Sequence, residues 1–235
     1  MNTKGLLDQL LASGQAMLNQ NLPAQQPGQP ARSGGAAGGI GGLLGSDFTK
    51  GALSGGALGL LLGNKSVRKM GGGALKYGGV AALGALAYRA YSDWQQQQQA
   101  PGAAAAPAPR TVDRLPAPEV EVHSRAILQA LVAAAKADGH IDERERGLIH
   151  NELGRLAEDP ETRHWLEAEL AKPLDPAEVA RAASTPEIGV EMYLASLMAA
   201  DQQNFMERAY LDELARQLKL DPALKDSLER QALPG

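Results

Sequence analysis

AAAKADGHIDERE at residues 133–145 and AADQQNFMERAYLDELA at residues 199–215 decide the fold, because they are two copies of one helix–corner–helix pattern. The copies are offset by about 63 residues, from Asp138 to Asp201. In each copy a helix-forming run ends at Ala-Asp, a short corner follows, and Asp or Asn then stands three residues before Glu. Such an internal repeat indicates a duplicated pair of helices. The C-terminal half is therefore predicted to be all-α.

Clear start signals extend this prediction to a compact bundle of about seven short helices over residues 119–235. The first two are expected at about 122–137 and, after an Asp142 cap, up to about residue 157. One later helix starts at Asn204, and four start with a cap followed by proline, whose missing N–H would be unpaired there anyway. These four pairs are Asp159-Pro160, Asp175-Pro176, Thr185-Pro186 and Asp221-Pro222. The side chains expected to face inward are Ile127, Leu128, Leu131, Val132, Leu148, Ile149, Leu153 and Leu156.

The acidic residues of the two corners have a structural interpretation. Asp142 with Glu145, and Asn204 with Glu207, have the three-residue spacing of a capping box. In that motif each side chain accepts a hydrogen bond from a backbone donor at the start of a helix. This role would explain the acids without any ligand.

The same acids also have a chemical interpretation. DGHIDERE at 138–145 resembles the second half of a calcium loop, from its central Asp-Gly to its final Glu. Ala134 and Lys136 stand where the first ligands belong, so an ordinary EF-hand is excluded. A shared site for a divalent cation is still compatible with the pattern, since hard cations bind clustered oxygens. Its candidate ligands are Asp138, Asp142, Glu145, Asp201 and Glu207.

The N-terminal half is rich in glycine at helical spacing. Gly51, Gly55, Gly59 and Gly63 recur every fourth residue of GALSGGALGLLLG, at 51–63. In water each helical glycine costs roughly 1 kcal/mol relative to alanine, whereas in lipid a ridge of small residues lets two helices pack closely. The pattern favours a membrane helix that self-associates through these glycines. A flexible linker and a helix lying on the membrane surface are the alternatives.

A single span over roughly 72–92 is compatible with Tyr77, Tyr88, Tyr91 and Trp94, which lie where an aromatic belt at the membrane interface would be expected. If both apolar segments span, the second span is at 51–63. More basic residues precede the 72–92 span than follow it closely. The positive-inside rule then predicts a cytoplasmic N-terminal side and a periplasmic C-terminal domain. The predicted organisation is an amphipathic helix at 1–22, a Gly/Pro-rich linker at 23–50, a membrane-associating helical region at 51–94, a disordered linker at 95–118 and the helical domain at 119–235.

Charge and composition limit the classes of function. Residues 1–118 carry ten Lys/Arg and four Asp/Glu, and residues 119–235 carry thirteen and twenty-three, so the halves have net charges of +6 and −10. The basic half is attracted to an anionic lipid bilayer, whereas the acidic half would be repelled by nucleic acid, which we exclude as a partner. Without cysteine, thiol nucleophiles and Cys-ligated zinc are excluded. No local motif indicates a catalytic site, and we expect no enzyme.

The repeated motif resembles the TerB-like helical domain associated with tellurite resistance. The wider layout, from MNTKGLLDQLL through the Gly-rich middle to the C-terminal domain, resembles the YebE-type inner-membrane branch of that superfamily. The resemblance implies an all-helical fold, a location in the bacterial inner membrane, a link to metal or envelope stress, and no established activity. In the second unit Gln202 replaces the glycine and Asn204 replaces an aspartate.

These observations favour a membrane-tethered, non-enzymatic accessory protein, whose acidic helical domain binds an unidentified protein partner or a divalent cation. One rival is a metal-sensing module in which an ion orders the 138–145 corner. Another is an enzyme whose catalytic residues are distant in sequence. Ion titration would separate the first two possibilities, and a concave pocket with convergent polar groups would be needed for the third.

Overall fold

The computed structural model describes residues 2–20, 80–99, 107–137, 159–200 and 204–232. Within these ranges the chain forms eight α-helices, one short 3₁₀ turn and no strand. The predicted all-α class is thereby confirmed. In chain order the elements are α1 (Thr3–Gln20), α2 (Val80–Gln98), the 3₁₀ turn (Val112–Arg114), α3 (Ala117–Ala135), α4 (Pro160–Ala171), α5 (Pro176–Ala180), α6 (Pro186–Ala199), α7 (Phe205–Gln217) and α8 (Pro222–Ala232).

Most helix starts coincide with the capping residues identified in the sequence. The Asp159 carboxylate accepts hydrogen bonds from the backbone N–H groups of Glu161 and Thr162, at 3.2 and 3.3 Å. The caps predicted for α5, α6 and α7 also accept such bonds. α3 differs, because it begins at Ala117 rather than near residue 122. Pro118 does not prevent this earlier start, since a proline is tolerated in the first turn of a helix.

α6 lies at the centre of the fold and packs against α2, α3, α7 and α8. Its segment IGVEMYLASLMAA, at 188–200, is apolar on nearly every side, which is typical of a buried helix. α3 is its main neighbour. The inward residues predicted for the first helix, Ile127, Leu128, Leu131 and Val132, are all buried. Those predicted for the helix at about 142–157 lie outside the described residues.

The N-terminal helix packs onto the same bundle. α1 lies against α3 and α2, although a long stretch of sequence separates it from both. Leu6, Leu7, Leu10 and Leu11 are buried in the common core. The spacing of these leucines predicted a helix here; α1 spans Thr3–Gln20, and α3 and α2 pack against its leucines.

α2 covers much of the span predicted over 72–92. Val80, Leu83, Ala87 and Tyr91 are buried where α2 meets α6, α8 and the 3₁₀ turn. Across the described ranges, no helix is long and apolar enough to cross a bilayer. The spacing of apolar residues shows that one face of a helix avoids water, but it does not distinguish lipid from protein as the neighbour. The glycines of the predicted ridge, Gly51, Gly55, Gly59 and Gly63, lie outside the described residues.

The end of the predicted linker at 95–118 is also packed, since Thr111 and Val112 are buried. A Cβ atom added to Gly84 would lie 2.6 Å from Asp113 Oδ1 and 2.9 Å from the Asp113 backbone nitrogen. Glycine at this position therefore lets the 3₁₀ turn approach α2 closely. The helical unit includes α1, α2 and this turn in addition to the predicted residues 119–235.

Candidate functional site

The acidic corners predicted as a cation site are described only in part. Asp138, Asp142, Glu145 and Asp201 lie outside the described residues. Glu207 is 7% exposed in the first turn of α7. No group of three His, Asp or Glu side chains in the described part of the chain is arranged to hold a metal ion. The cation site at residues 138–145 accordingly stays a prediction.

The structural interpretation of the second corner is supported at its cap. Asn204 precedes α7, and its Oδ1 accepts a hydrogen bond from the Met206 backbone N–H at 2.9 Å. This contact satisfies one of the donors that a helix start leaves unpaired. The predicted role of Asn204 as a helix cap is confirmed.

A groove lies between three parts of the fold described here. It has a volume of about 510 Å³, within the usual range of ligand pockets. α2 forms one wall, the junction of α5 and α6 a second, and the corner between α7 and α8 a third. Apolar side chains from all three walls line it, namely Tyr91, Trp94, Val190, Leu218, Leu220 and Leu224. Such a groove can bind an apolar group.

Two aromatic rings form the α2 wall of the groove. The centroids of the Tyr91 and Trp94 rings lie 5.4 Å apart, and their planes are tilted by 32°. Burial, with the nearby negative charge of Glu187, raises the pKa of the Tyr91 phenol above its ordinary value. Tyr91 therefore keeps its proton at neutral pH. The sequence had suggested these rings as part of an aromatic belt at a membrane interface.

The indole nitrogen of Trp94 is enclosed within the protein. Its Nε1 is buried and has no hydrogen-bond partner among the described residues. A buried indole N–H normally finds an acceptor, and leaving it unpaired costs about 1–3 kcal/mol. Because this nitrogen is removed from water, it is also out of reach of a ligand in the open groove, and Trp94 contributes apolar surface there.

The backbone has a constrained conformation at the corner between α7 and α8, which forms the third wall of the groove. Lys219 has a φ angle of 55°, in the left-handed region. Its N–H bonds to the Arg216 carbonyl, and the Leu220 N–H bonds to the Ala215 carbonyl, both at 3.1 Å. This pair of bonds is a Schellman motif, in which glycine usually takes the left-handed position. The motif turns Leu220 back toward the groove, which it lines.

A buried, hydrogen-bonded pair of ionisable side chains, His123 and Glu191, lies in the core of the bundle, and no local sequence motif indicates it. Glu191 Oε2 lies 2.5 Å from His123 Nδ1, and Glu191 Oε1 accepts a hydrogen bond from the Val112 N–H at 2.5 Å. Burial raises the pKa of Glu191, although His123 acts in the opposite direction. These contacts attach the 3₁₀ turn to α3 and α6. One available signal was the position of Glu191, the one charged residue in the apolar segment 188–200.

The groove and the buried pair differ in what they can do chemically. Neither His123 nor Glu191 lines the groove, and both are largely removed from water. The pair therefore acts in holding the fold together. The groove instead combines apolar walls with an open face, an arrangement that can bind an apolar group.

Comparison with known proteins gives three findings. A family model described as "Protein of unknown function (DUF533)" matches residues 47–232. An "Uncharacterized protein in ampR 5'region" of Yersinia enterocolitica is 33% identical over 104 residues, which cover 44% of this chain and 75% of that relative. No solved structure matches the chain.

Proposed function

This chain belongs to the DUF533 family, a TerB-like family of unknown function, and we propose that it is a non-enzymatic interaction protein tethered to a membrane. Its groove between α2, the α5–α6 junction and the α7–α8 corner binds a short segment of a partner polypeptide. The observation that carries this proposal is an open, mainly apolar groove of about 510 Å³ with walls from three parts of the fold. An occupant would bury these apolar walls.

The chemistry of the groove indicates what the segment carries. Its apolar floor suits one or two aliphatic side chains, whose burial contributes roughly 25 cal/mol per Å². Lys219 and Asp221 both line the groove, so its own charges balance, but Glu187 acts electrostatically on Tyr91 and residues 119–235 have a net charge of −10. A segment with a basic residue beside its aliphatic side chains therefore fits best, since long-range attraction speeds its approach.

Selection of displayed peptides on the immobilised full-length protein tests the groove. We expect enriched peptides to combine aliphatic and basic residues. Trp94→Ala removes one of the two rings of the α2 wall and should weaken binding about tenfold, as truncation of an aromatic contact residue typically does. Trp165→Ala is the matched control, because Trp165 lies on α4 and does not line the groove.

A second variant tests the shape of the groove. Ser184 is exposed on the groove wall, so Ser184→Trp should fill part of the groove without disturbing the core. Selected peptides should lose affinity for this variant. Peptides that bind Trp94→Ala and Ser184→Trp as tightly as the unchanged protein would place the binding surface elsewhere and refute the proposal.

The tether is proposed from residues 51–79, which carry the glycine ridge, together with the net charge of +6 over residues 1–118. By its resemblance to YebE-type proteins we place the chain at the bacterial inner membrane, with the helical unit on the periplasmic side and the glycine ridge available for self-association. Cell fractionation followed by a carbonate wash tests this placement. The chain should stay with the membrane pellet, and replacing Gly55 and Gly59 by isoleucine should lower self-association without releasing it. Recovery of the unchanged chain in the supernatant would contradict the tether.

A further inference from the structure

α1 is held on the bundle by polar contacts at its start as well as by its leucines. The Thr3 and Lys4 N–H groups donate to the two carboxylate oxygens of Glu121, at 3.0 and 3.3 Å. The Thr3 hydroxyl also donates to the Glu121 side chain. The Asn2 N–H donates to the Thr162 hydroxyl at 3.2 Å. A carboxylate on α3 therefore caps the free N–H groups at the start of α1.

The same helix also caps another. Asp8 Oδ1 accepts a hydrogen bond from the N–H of Val80, the first residue of α2, at 3.1 Å. Asp8 Oδ2 pairs with Lys4 on the same face of α1. α1 thus contacts both α3 and the start of α2, and it joins them through defined polar contacts in addition to apolar packing.

All of these intersegment contacts join α1 to residues at least 72 positions away in sequence. Leu6, Leu7, Leu10 and Leu11 are likewise buried among residues of the bundle. Residues 21–79 connect α1 to α2. No described contact of α1 requires that the helix and the bundle belong to the same molecule.

We propose that α1 exchanges between two copies of this chain. The surface formed by α3 and the start of α2 then binds the α1 helix of a second copy as well as its own. The contacts made by either helix are the same. The choice between them depends on the effective concentration of the attached helix, which for a long connection is on the order of millimolar or less. Exchange therefore increases as the local concentration of copies approaches that level.

This inference differs from the proposed function in both surface and occupant. The groove beside Trp94 takes a partner segment, whereas the α1 surface takes a helix of this chain with two Leu-Leu pairs and a carboxylate at position 8. Asp8 caps α2, so in an exchanged pair the Val80 N–H of one copy donates to the Asp8 carboxylate of the other copy. Two copies joined in this way keep every contact of the closed form.

Photocrosslinking of isotope-mixed full-length chains tests the exchange. One population carries a photoreactive lysine analogue at position 4 at natural isotope abundance, and the other is an unchanged chain labelled with heavy nitrogen. Lys4 suits this purpose because its side chain is half exposed while its backbone lies beside Glu121. After mixing and irradiation, mass spectrometry separates light–light from light–heavy crosslinks to the α3 segment around Glu121.

We expect light–heavy crosslinks to α3 whose share rises with total protein concentration. Leu7→Asp in the photoreactive chain should abolish them, because Leu7 is fully buried in the docked helix. Light–light crosslinks alone at every concentration would overturn the proposal. A light–heavy share unaffected by Leu7→Asp would overturn it as well, because it would show random collision.

A peptide of residues 1–20 provides an independent test. Full-length chain carrying Leu7→Asp cannot hold its own α1, so its surface should bind the peptide, and the same peptide with Leu7→Asp should not bind. Asp8→Ala in the peptide should weaken binding about fivefold, equivalent to the ~1 kcal/mol of a lost cap. Absence of peptide binding to a Leu7→Asp chain that retains its helical circular dichroism would refute exchange. If that chain unfolds, the isotope experiment with the unchanged bundle decides.

Discussion

Removing the carboxylate of Glu191 should destabilise the fold more than any other single loss of charge among the described residues. Glu191→Ala leaves two buried donors, the Val112 N–H and the His123 ring, without the acceptor that each contacts at 2.5 Å. The Glu191 side chain is 0% exposed, so water cannot replace it without opening the core.

The size of the effect follows from these two donors. A buried donor left unpaired costs about 1–3 kcal/mol, and breaking a buried ion pair by removing one partner costs about 3–5 kcal/mol. The 3₁₀ turn at Val112–Arg114 can move away and hydrate its own N–H, which lowers the total. We therefore expect a loss of roughly 3 kcal/mol in the free energy of unfolding, a large fraction of the ~5–15 kcal/mol of a typical domain.

Urea unfolding of the full-length chain, followed by circular dichroism, measures this loss. Glu187→Ala is the matched control, since Glu187 lies one turn earlier on α6 and is only partly buried, so its removal should cost less than about 1 kcal/mol. Replacing His123 and Glu191 together by leucine should restore part of the stability, because the buried imidazole that lacks a partner is removed, whereas the Val112 N–H still lacks its acceptor. The reasoning would be refuted if Glu191→Ala lowered the free energy of unfolding no more than Glu187→Ala does.

Three further predictions concern the backbone and the buried phenols. Lys219→Gly should raise the free energy of unfolding by about 0.5–1 kcal/mol, because a side chain at φ 55° is strained, whereas Lys219→Ala should give no such gain in the same urea assay. Gly84→Ala should lower the free energy of unfolding by about 1–2 kcal/mol, because the new Cβ would lie 2.6 Å from Asp113 Oδ1, and this clash outweighs the better helix propensity of alanine. An unchanged urea midpoint would contradict this close approach. Burial raises the pKa of Tyr193, with help from its hydrogen bond to Glu229, and burial also raises the pKa of Tyr210. The unfolded phenols release their protons near the ordinary pKa of 10.0 while the folded ones retain them, so stability is full below pH 10.0 and falls as the pH rises above it. The part of the phenolate absorbance that is lost in Tyr193→Phe should appear together with loss of helical circular dichroism, and Tyr193→Phe should flatten the decline; ionisation of this phenol without unfolding would contradict the assignment.

The candidate site was only partly accessible from sequence. Tyr91 and Trp94 were noticed as aromatic residues, but their spacing on one helix could not show that α5, α6 and α7 complete a groove around them. The pairing of His123 with Glu191 joins positions 68 residues apart, and local patterns carry no such information. The acids of the first corner were selected by motif, and their arrangement stays a prediction.

Local sequence determined the elements of this protein. Capping residues followed by proline set the starts of α4, α5 and α6, and leucines at helical spacing predicted α1, because backbone donors and apolar faces are satisfied within a few residues. Only the tertiary structure decided what those faces contact. α1 and α2, assigned by sequence to the N-terminal half, are buried on the C-terminal bundle, since a helix has the same apolar periodicity whether it packs against lipid, another copy or its own chain.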